Sequence, residues 1–276
     1  MMPCVNIKSR SRRQHLKGNV MDNPYRIASD EVFYWFGRPV VEMYARSMLR
    51  MDVVRHAPLP DGPKIISANH PSTTDPFLIL TLASEQVSIL ISETLFKVPL
   101  FGRYLRQAGH VPVVPGNGRA AFEKARQLLE AGRTVAVFPE GAISPLDGGF
   151  HRPHTGAARL SLRTGAPVIP VGIHLQRERI RLIETAVDGK PEVGTWYLRG
   201  PYAMTVGNPM RFTGDVEDRE HVRSASERIM QCIIRLSHQS ARRMKEMDAI
   251  ASSRRRMRLR PYSLLPTPYS LLPLCH

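Results

Sequence analysis

The chain has 276 residues, 42% of them hydrophobic and 23% charged, which leaves room for one large domain or two small ones and excludes a wholly disordered chain, a collagen or a disulfide-stapled miniprotein. Its three cysteines, Cys4, Cys232 and Cys275, are far apart and make no zinc-like pattern, so reduced thiols in a cytosolic setting are expected. The net charge of +15 is concentrated at the ends: residues 1–21 carry five basic and no acidic residues, residues 242–276 eight basic and two acidic, and the stretch between is nearly balanced at 26 against 22.

Residues 1–24 read as a disordered basic tail. Residues 30–54 mix aromatics, methionine and arginine, with Asp30 placed to cap a helix. Gly37 and Pro39 are expected to split the segment into two short helices. The segment suits either packing on the core or lying in a lipid interface, apolar groups inward and arginines at the headgroups. From Lys64 the pattern alternates. Strands are expected at 64–68, 87–91, 110–114, 134–138 and 167–175, with 204–209 closing the sheet. Helices are expected from Asp75-Pro76 to about Ala83, over 93–108, 117–131 and 154–164, and as a long helix over 217–247. This order predicts an α/β fold, a largely parallel mixed sheet flanked by helices. PYSLLPT (261–267) followed by PYSLLP (268–273) repeats a proline-rich unit that cannot stack into a core, so 251–276 reads as a second disordered basic tail. The expected domain is 25–250.

No apolar run reaches about 18 residues, so no transmembrane helix is expected, and the basic N-terminus lacks the apolar stretch of a signal peptide. Tails this basic suit a polyanion such as an anionic membrane surface; a solvated tail without a partner is the alternative. Arg254-Arg255-Arg256 has no interleaved stacking aromatics, so nucleic acid is not expected. The expected location is peripheral, on the cytoplasmic face of a membrane.

Two loops carry the chemistry. Asn69-His70-Pro71-Ser72-Thr73-Thr74-Asp75 follows a buried strand and opens a helix. That puts His70 at the carboxyl edge of the sheet, where open α/β folds place their sites. Asp75 is near enough to bond one ring nitrogen, which fixes the tautomer and leaves the other as a base. An ordinary helix-capping Asp beside a backbone-satisfied His is the structural alternative. Phe138-Pro139-Glu140-Gly141 again follows a strand, and two charged edges in one βα series point to one cleft. Other patterns are weaker. Gly116–Ala121 fits a dinucleotide loop but lies in the third βα unit behind Pro115, as a plain turn would. His151-Arg152-Pro153-His154 has no carboxylate or cysteine cluster beside it, and no metal is expected.

NHPSTTD, KVPLFGRYLRQAGHVPV, FPEGAIS and GAPVIPVGI follow one another at sensible spacings. Together they resemble the four blocks of the glycerolipid acyltransferases, the 1-acylglycerol-3-phosphate acyltransferase family, over about residues 60–210. The resemblance implies an α/β domain, often preceded by a membrane-docking helical segment, that moves a fatty acyl group from acyl-CoA or acyl carrier protein, as co-substrate, onto a lysolipid hydroxyl without any cofactor. It implies His70 and Asp75 as the catalytic pair, and Lys97, Gly102, Arg103, Glu140 and Gly141 as substrate-binding residues. The phosphate-using members carry Glu-Gly-Thr-Arg in the third block, whereas this chain has Ile143 at the arginine position. A guanidinium there would hold a phosphate bidentately, so Arg103, Arg152 or His154 is expected to replace it, or the acceptor is a lyso-ornithine lipid or a glycolipid. Direct transfer is expected, since no Gly-x-Ser-x-Gly elbow occurs. A basic membrane-binding protein with a vestigial pair is the rival of another class.

Overall fold

The computed structural model describes residues 24–187 and 190–258. The N-terminal tail up to residue 23 and the proline-rich repeat lie outside the described residues. Residues 251–258, expected as the start of the C-terminal tail, are the last turns of a helix, and the rest of that tail lies outside the described residues.

A seven-stranded sheet has the order β1-β9-β6-β2-β5-β3-β4. Strands β2 (Ile65–Ala68), β3 (Val87–Ser92), β4 (Val111–Val113), β5 (Thr134–Val137) and β6 (Val168–Leu175) run parallel. β9 (Gly200–Val206) lies antiparallel to β6, and β1 (Leu49–Arg55) runs parallel to β9. A sheet covered on both faces needs strands apolar on both sides, and β2 and β5 are buried throughout. Ile66, Ala136, Ile169 and Ile173 face one core with Tyr34, Leu78 and Leu105. These come from helices α1 (Pro24–Met48), α2 (Asp75–Ile79) and α4 (Phe101–Gln107). Ile65, Val135 and Val168 face the other core with Leu129, Leu160 and Ile233, from α5 (Gly118–Glu130), α6 (Gly156–Thr164) and α7 (Arg219–Arg258).

Four local expectations are corrected. The segment expected as two short helices is one, α1, running through Pro39. Gly37 does not break it; it makes room for α4, since a Cβ there would sit 1.7 Å from the Tyr104 hydroxyl. Tertiary bonds offset the proline: Arg38 donates to Ser84 O (3.2 Å) and Tyr44 to Tyr197 O (2.8 Å). Residues 49–54, expected within that helical segment, lie in β1, so this strand rather than 204–209 ends the sheet. The helix expected over 93–108 is two, α3 (Glu93–Lys97) and α4, parted at Pro99 and Leu100, whose φ is +60°. Residues 180–197 form a hairpin of β7 (Ile180–Val187) and β8 (Lys190–Tyr197) outside the main sheet. Asp188-Gly189 between two eight-residue runs is a hairpin signal that was there to be read.

Candidate active site

The loop leaving β2 is fixed from below before it reaches His70. The Asn69 amide donates to Ile173 O (3.0 Å) and its oxygen accepts from Ile173 N (2.7 Å), tying the loop to β6 in a fully buried position. The His70 ring lies on the Phe138 ring at 4.2 Å between centroids, at the exit of β5. Its Nδ1 is 3.1 Å from Asp75 Oδ2, and its side chain is one-sixth exposed while that of Asp75 is wholly buried.

The Asp75 carboxylate also accepts from Ser72 N (2.6 Å), Ser72 Oγ (2.7 Å) and Tyr202 Oη (2.7 Å). These are donors, so the carboxylate is satisfied as an anion, and Nδ1 of His70 carries the proton between the two groups. Nε2 is then the basic nitrogen, on a ring that is partly open to solvent. The expected pairing of His70 with Asp75 is present in the geometry. Two more ties come from the hairpin: Thr73 N donates to Thr195 O (2.7 Å), and Tyr197 N donates to Thr74 Oγ1 (3.0 Å).

Glu140, expected as a substrate-binding residue, has protein donors on both oxygens. It is buried, and Oε1 accepts from His70 N (3.1 Å) and Ser144 Oγ (2.5 Å) while Oε2 accepts from His151 N (2.9 Å). Its oxygens join the loop of His70 to the segment of Ser144 and His151. Ser144 N returns a bond to His70 O (2.8 Å). Gly141 has a φ of +67°, and a Cβ on it would lie 2.6 Å from the His154 ring, so glycine is required there by conformation and space.

The other expected site residues are more scattered. Gly102 lets α4 meet α3, because a Cβ would fall 2.0 Å from Phe96 O. Lys97 lies 2.9 Å from Glu93 on α3. Arg103 is exposed on α4, a helix that reaches the site's flank through Phe101, 6.0 Å from the Phe77 ring on α2. Arg152 is exposed in the segment between His151, bound to Glu140, and His154, whose N–H is bound to Pro139 O (2.7 Å). Ile143 is half-buried, and its carbonyl is 3.1 Å from His151 Nε2.

One cation at this edge had no sequence signal. Arg177, just past β6, donates to Pro145 O, next to the Ser144 that bonds His70. Burial lowers its pKa, against the opposing pull of Asp147 and Glu140. His174 on β6 is lowered by burial first and then by the neighbouring charges of Arg177 and Lys245.

Comparison with known proteins agrees with this architecture. Residues 50–174 match the family described as Acyltransferase. A chloroplastic 1-acyl-sn-glycerol-3-phosphate acyltransferase of Arabidopsis thaliana is 25% identical over 48% of this chain and 37% of its own length. A 1-acyl-sn-glycerol-3-phosphate acyltransferase of Cocos nucifera is 30% identical over 40% of this chain and 38% of its own. The crystal structure of the acyltransferase PlsC of Thermotoga maritima superposes with a TM-score of 0.51 over 81% of this chain and 83% of that one, at 23% identity, a likeness of fold. Over residues 50–174, a little under half of its length, the chain is similar to acyltransferases. It spans well under half the length of these two curated relatives.

Proposed function

We propose that the protein is an O-acyltransferase that moves a fatty acyl group from a thioester, acyl-CoA or acyl carrier protein, to the free hydroxyl of 1-acyl-glycerol-3-phosphate, giving phosphatidic acid. The observation that carries this is the His70–Asp75 pair at the carboxyl edge of the sheet, with Nε2 unclaimed by the network that holds the ring. Nε2 takes the proton of the acceptor hydroxyl as its oxygen attacks the thioester carbonyl. One C–O bond forms, the C–S bond breaks, and the imidazolium returns the proton to the departing thiolate. The acceptor class is drawn from the names of the relatives.

A phosphate monoester needs cations near the hydroxyl. Arg103 and Arg152, expected to replace the missing guanidinium, are joined by Arg177 as candidates. The half-buried Ile143 favours one second reading, an acceptor without phosphate such as a lyso-ornithine lipid or a glycolipid. The test is a panel of lysolipids with one radiolabelled donor, run with acyl-CoA and with acyl carrier protein. Fastest turnover of lysophosphatidate supports the first reading, and fastest turnover of a phosphate-free lysolipid supports the second. No transfer to any acceptor overturns both and leaves the inert membrane-binding protein.

The same reading puts the protein at a membrane surface. Among the described residues no helix is long and apolar enough to cross a bilayer. Val32, Phe36, Val40 and Met43 lie along one side of α1 and are all exposed, Phe36 by 81%. Leu100, 85% exposed, stands at the turn before α4, which packs on α1. Such a stripe suits the lipid boundary, and the basic ends suit anionic headgroups. Flotation with vesicles is expected to show stronger binding to anionic than to neutral lipid, with partial release at high salt. Equal binding to both at low salt overturns the electrostatic part.

A further inference from the structure

The reading of His70 as the base leaves open what holds its carboxylate. Asp75 is wholly buried, and among the described residues no lysine or arginine is bonded to it. Ser72 satisfies it from within the same loop, and that loop is held to the rest of the protein through Asn69, the His70 backbone, Thr73 and Thr74 rather than through the carboxylate. Among the described residues, the bond that ties the carboxylate itself to the sheet is from Tyr202. Tyr202 lies on β9, opposite Leu175 of β6 and Met51 of β1, and is fully buried. Its ring is set by Tyr197, 6.1 Å away between centroids, whose own hydroxyl donates to Pro201 O (2.7 Å).

We infer that Tyr202 is a positioning residue of the acyl transfer: from the strand that runs against the parallel set, its phenol donates to Asp75 Oδ1 and fixes the carboxylate plane so that Oδ2 meets His70 Nδ1. The inference rests on the assignment of His70 and Asp75 as the reacting pair. Its physical basis is that Oδ1 and Oδ2 are one rigid group. A donor on the outer oxygen sets the direction of the inner one. Asp75 and Tyr202 are both fully buried, so water does not reach the place of a deleted phenol, and Oδ1 is left with Ser72 Oγ, which comes from the same loop and cannot orient the carboxylate against the sheet. The phenol is suited to the part, because burial first and then the charge of Asp75 push its pKa well above the ordinary value, so it stays a donor throughout the working pH range.

The test is Tyr202→Phe, which keeps the ring and deletes the bond. With lysophosphatidate and acyl-CoA, kcat is expected to fall about tenfold with both KM values unchanged. In an Asp75→Asn background the same change is expected to cost less than about twofold, because the bond it removes has already lost its purpose. Losses that multiply across the two backgrounds, or a rise in KM without a fall in kcat, overturn the inference and leave Tyr202 a packing residue. A second readout needs no substrate. The downfield proton signal of His70 Nδ1–H, assigned by its loss in His70→Ala, is expected to move or broaden in Tyr202→Phe, and an unmoved signal overturns the inference. Should the wild type acylate nothing while the signal still moves, the proposed function fails and the positioning of the pair stands. If Tyr202→Phe does not fold, 3-fluorotyrosine at position 202 keeps the shape and strengthens the donor, and the same signal must shift.

Discussion

Two loops leave neighbouring parallel strands at the same edge of the sheet, and each carries a buried carboxylate beside His70. They use it in opposite ways. Asp75, after β2, is aimed at the imidazole ring, and its other bonds hold it in that aim. Glu140, after β5, is aimed at the His70 backbone and spends its oxygens joining that residue to Ser144 and His151. One carboxylate tunes a side chain and the other builds the floor on which that side chain stands. Both are buried, so burial alone does not tell a carboxylate aimed at a ring from one aimed at the backbone. The atom each contacts does.

The sharpest way to break this contrast is at the ring. His70→Ala is expected to lower acyl transfer by about 10²–10⁴ with the melting temperature nearly unchanged, and activity above one third of wild type removes His70 as the base. Asp75→Asn is expected to cost at least about 10², since the amide presents a donor where the carboxylate accepted. Ser72 and Tyr202 then lose a charged acceptor, so this variant needs a melting curve beside its kinetics.

Glu140→Gln probes the other half. One oxygen becomes an NH₂ that faces a backbone N–H or the Ser144 hydroxyl, so a charged hydrogen bond is lost and a donor left opposed. A cost of about 2–3 kcal/mol is expected, which for a domain of this size lowers the melting temperature by about 5–10 °C. Activity well below that temperature is expected to fall less than in Asp75→Asn. A normal melting curve with a kinetic loss equal to that of Asp75→Asn places Glu140 among the groups that meet the substrate, and the contrast between the loops collapses.

Much of this site is legible in the sequence because it is local. His70 and Asp75 are five residues apart on a strand-to-helix turn, and geometry over that distance leaves few options. Glu140 is legible as a buried edge residue, but not what it binds, because its donors come from three separate segments. Tyr202 and Arg177 carry no local mark at all. Tyr202 lies in an apolar strand, where alternation fixes only which face its side chain is on. The parallel core was readable from its apolar runs. β1 was not, since LRMDVVR alternates poorly and follows a helical stretch without a break. The continuity of α1 through Pro39 depends on contacts to Ser84 and Tyr197 that the segment itself does not contain.

Smaller effects are expected from the cations around the pair. If the acceptor carries a phosphate, removing a guanidinium that binds it raises the acceptor KM about tenfold, through the loss of one charged hydrogen bond, while the donor KM stays put. Arg103→Ala, Arg152→Ala and Arg177→Ala, each assayed with lysophosphatidate, separate the motif candidates from the one found past β6. Arg177 also supports the Pro145 carbonyl, so a rise in both KM values at that position marks a loop effect instead. No change in any of the three favours an acceptor without phosphate.

The contrast between a ring with a carboxylate and a ring without one gives the smallest effect, and it is read in stability. His110 is buried, and its Nδ1 accepts from Ile89 N (3.3 Å), with burial lowering its pKa to about 4. The folded protein therefore holds it neutral down to about that pH, whereas the unfolded chain takes up a proton near 6.5. Above about 6.5 neither state is protonated and the full stability is present. As pH falls from there toward 4, the unfolded state gains a proton that the folded state refuses, and stability declines by up to about 1.4 kcal/mol per pH unit. The half-buried His174, also lowered by burial, adds in the same direction. Melting temperatures measured between pH 7 and 4.5 are expected to fall, and His110→Phe is expected to fall less steeply over that window, whatever its starting value. Identical slopes for the two proteins show that His110 takes up its proton at about the same pH folded and unfolded, so that burial does not hold it neutral.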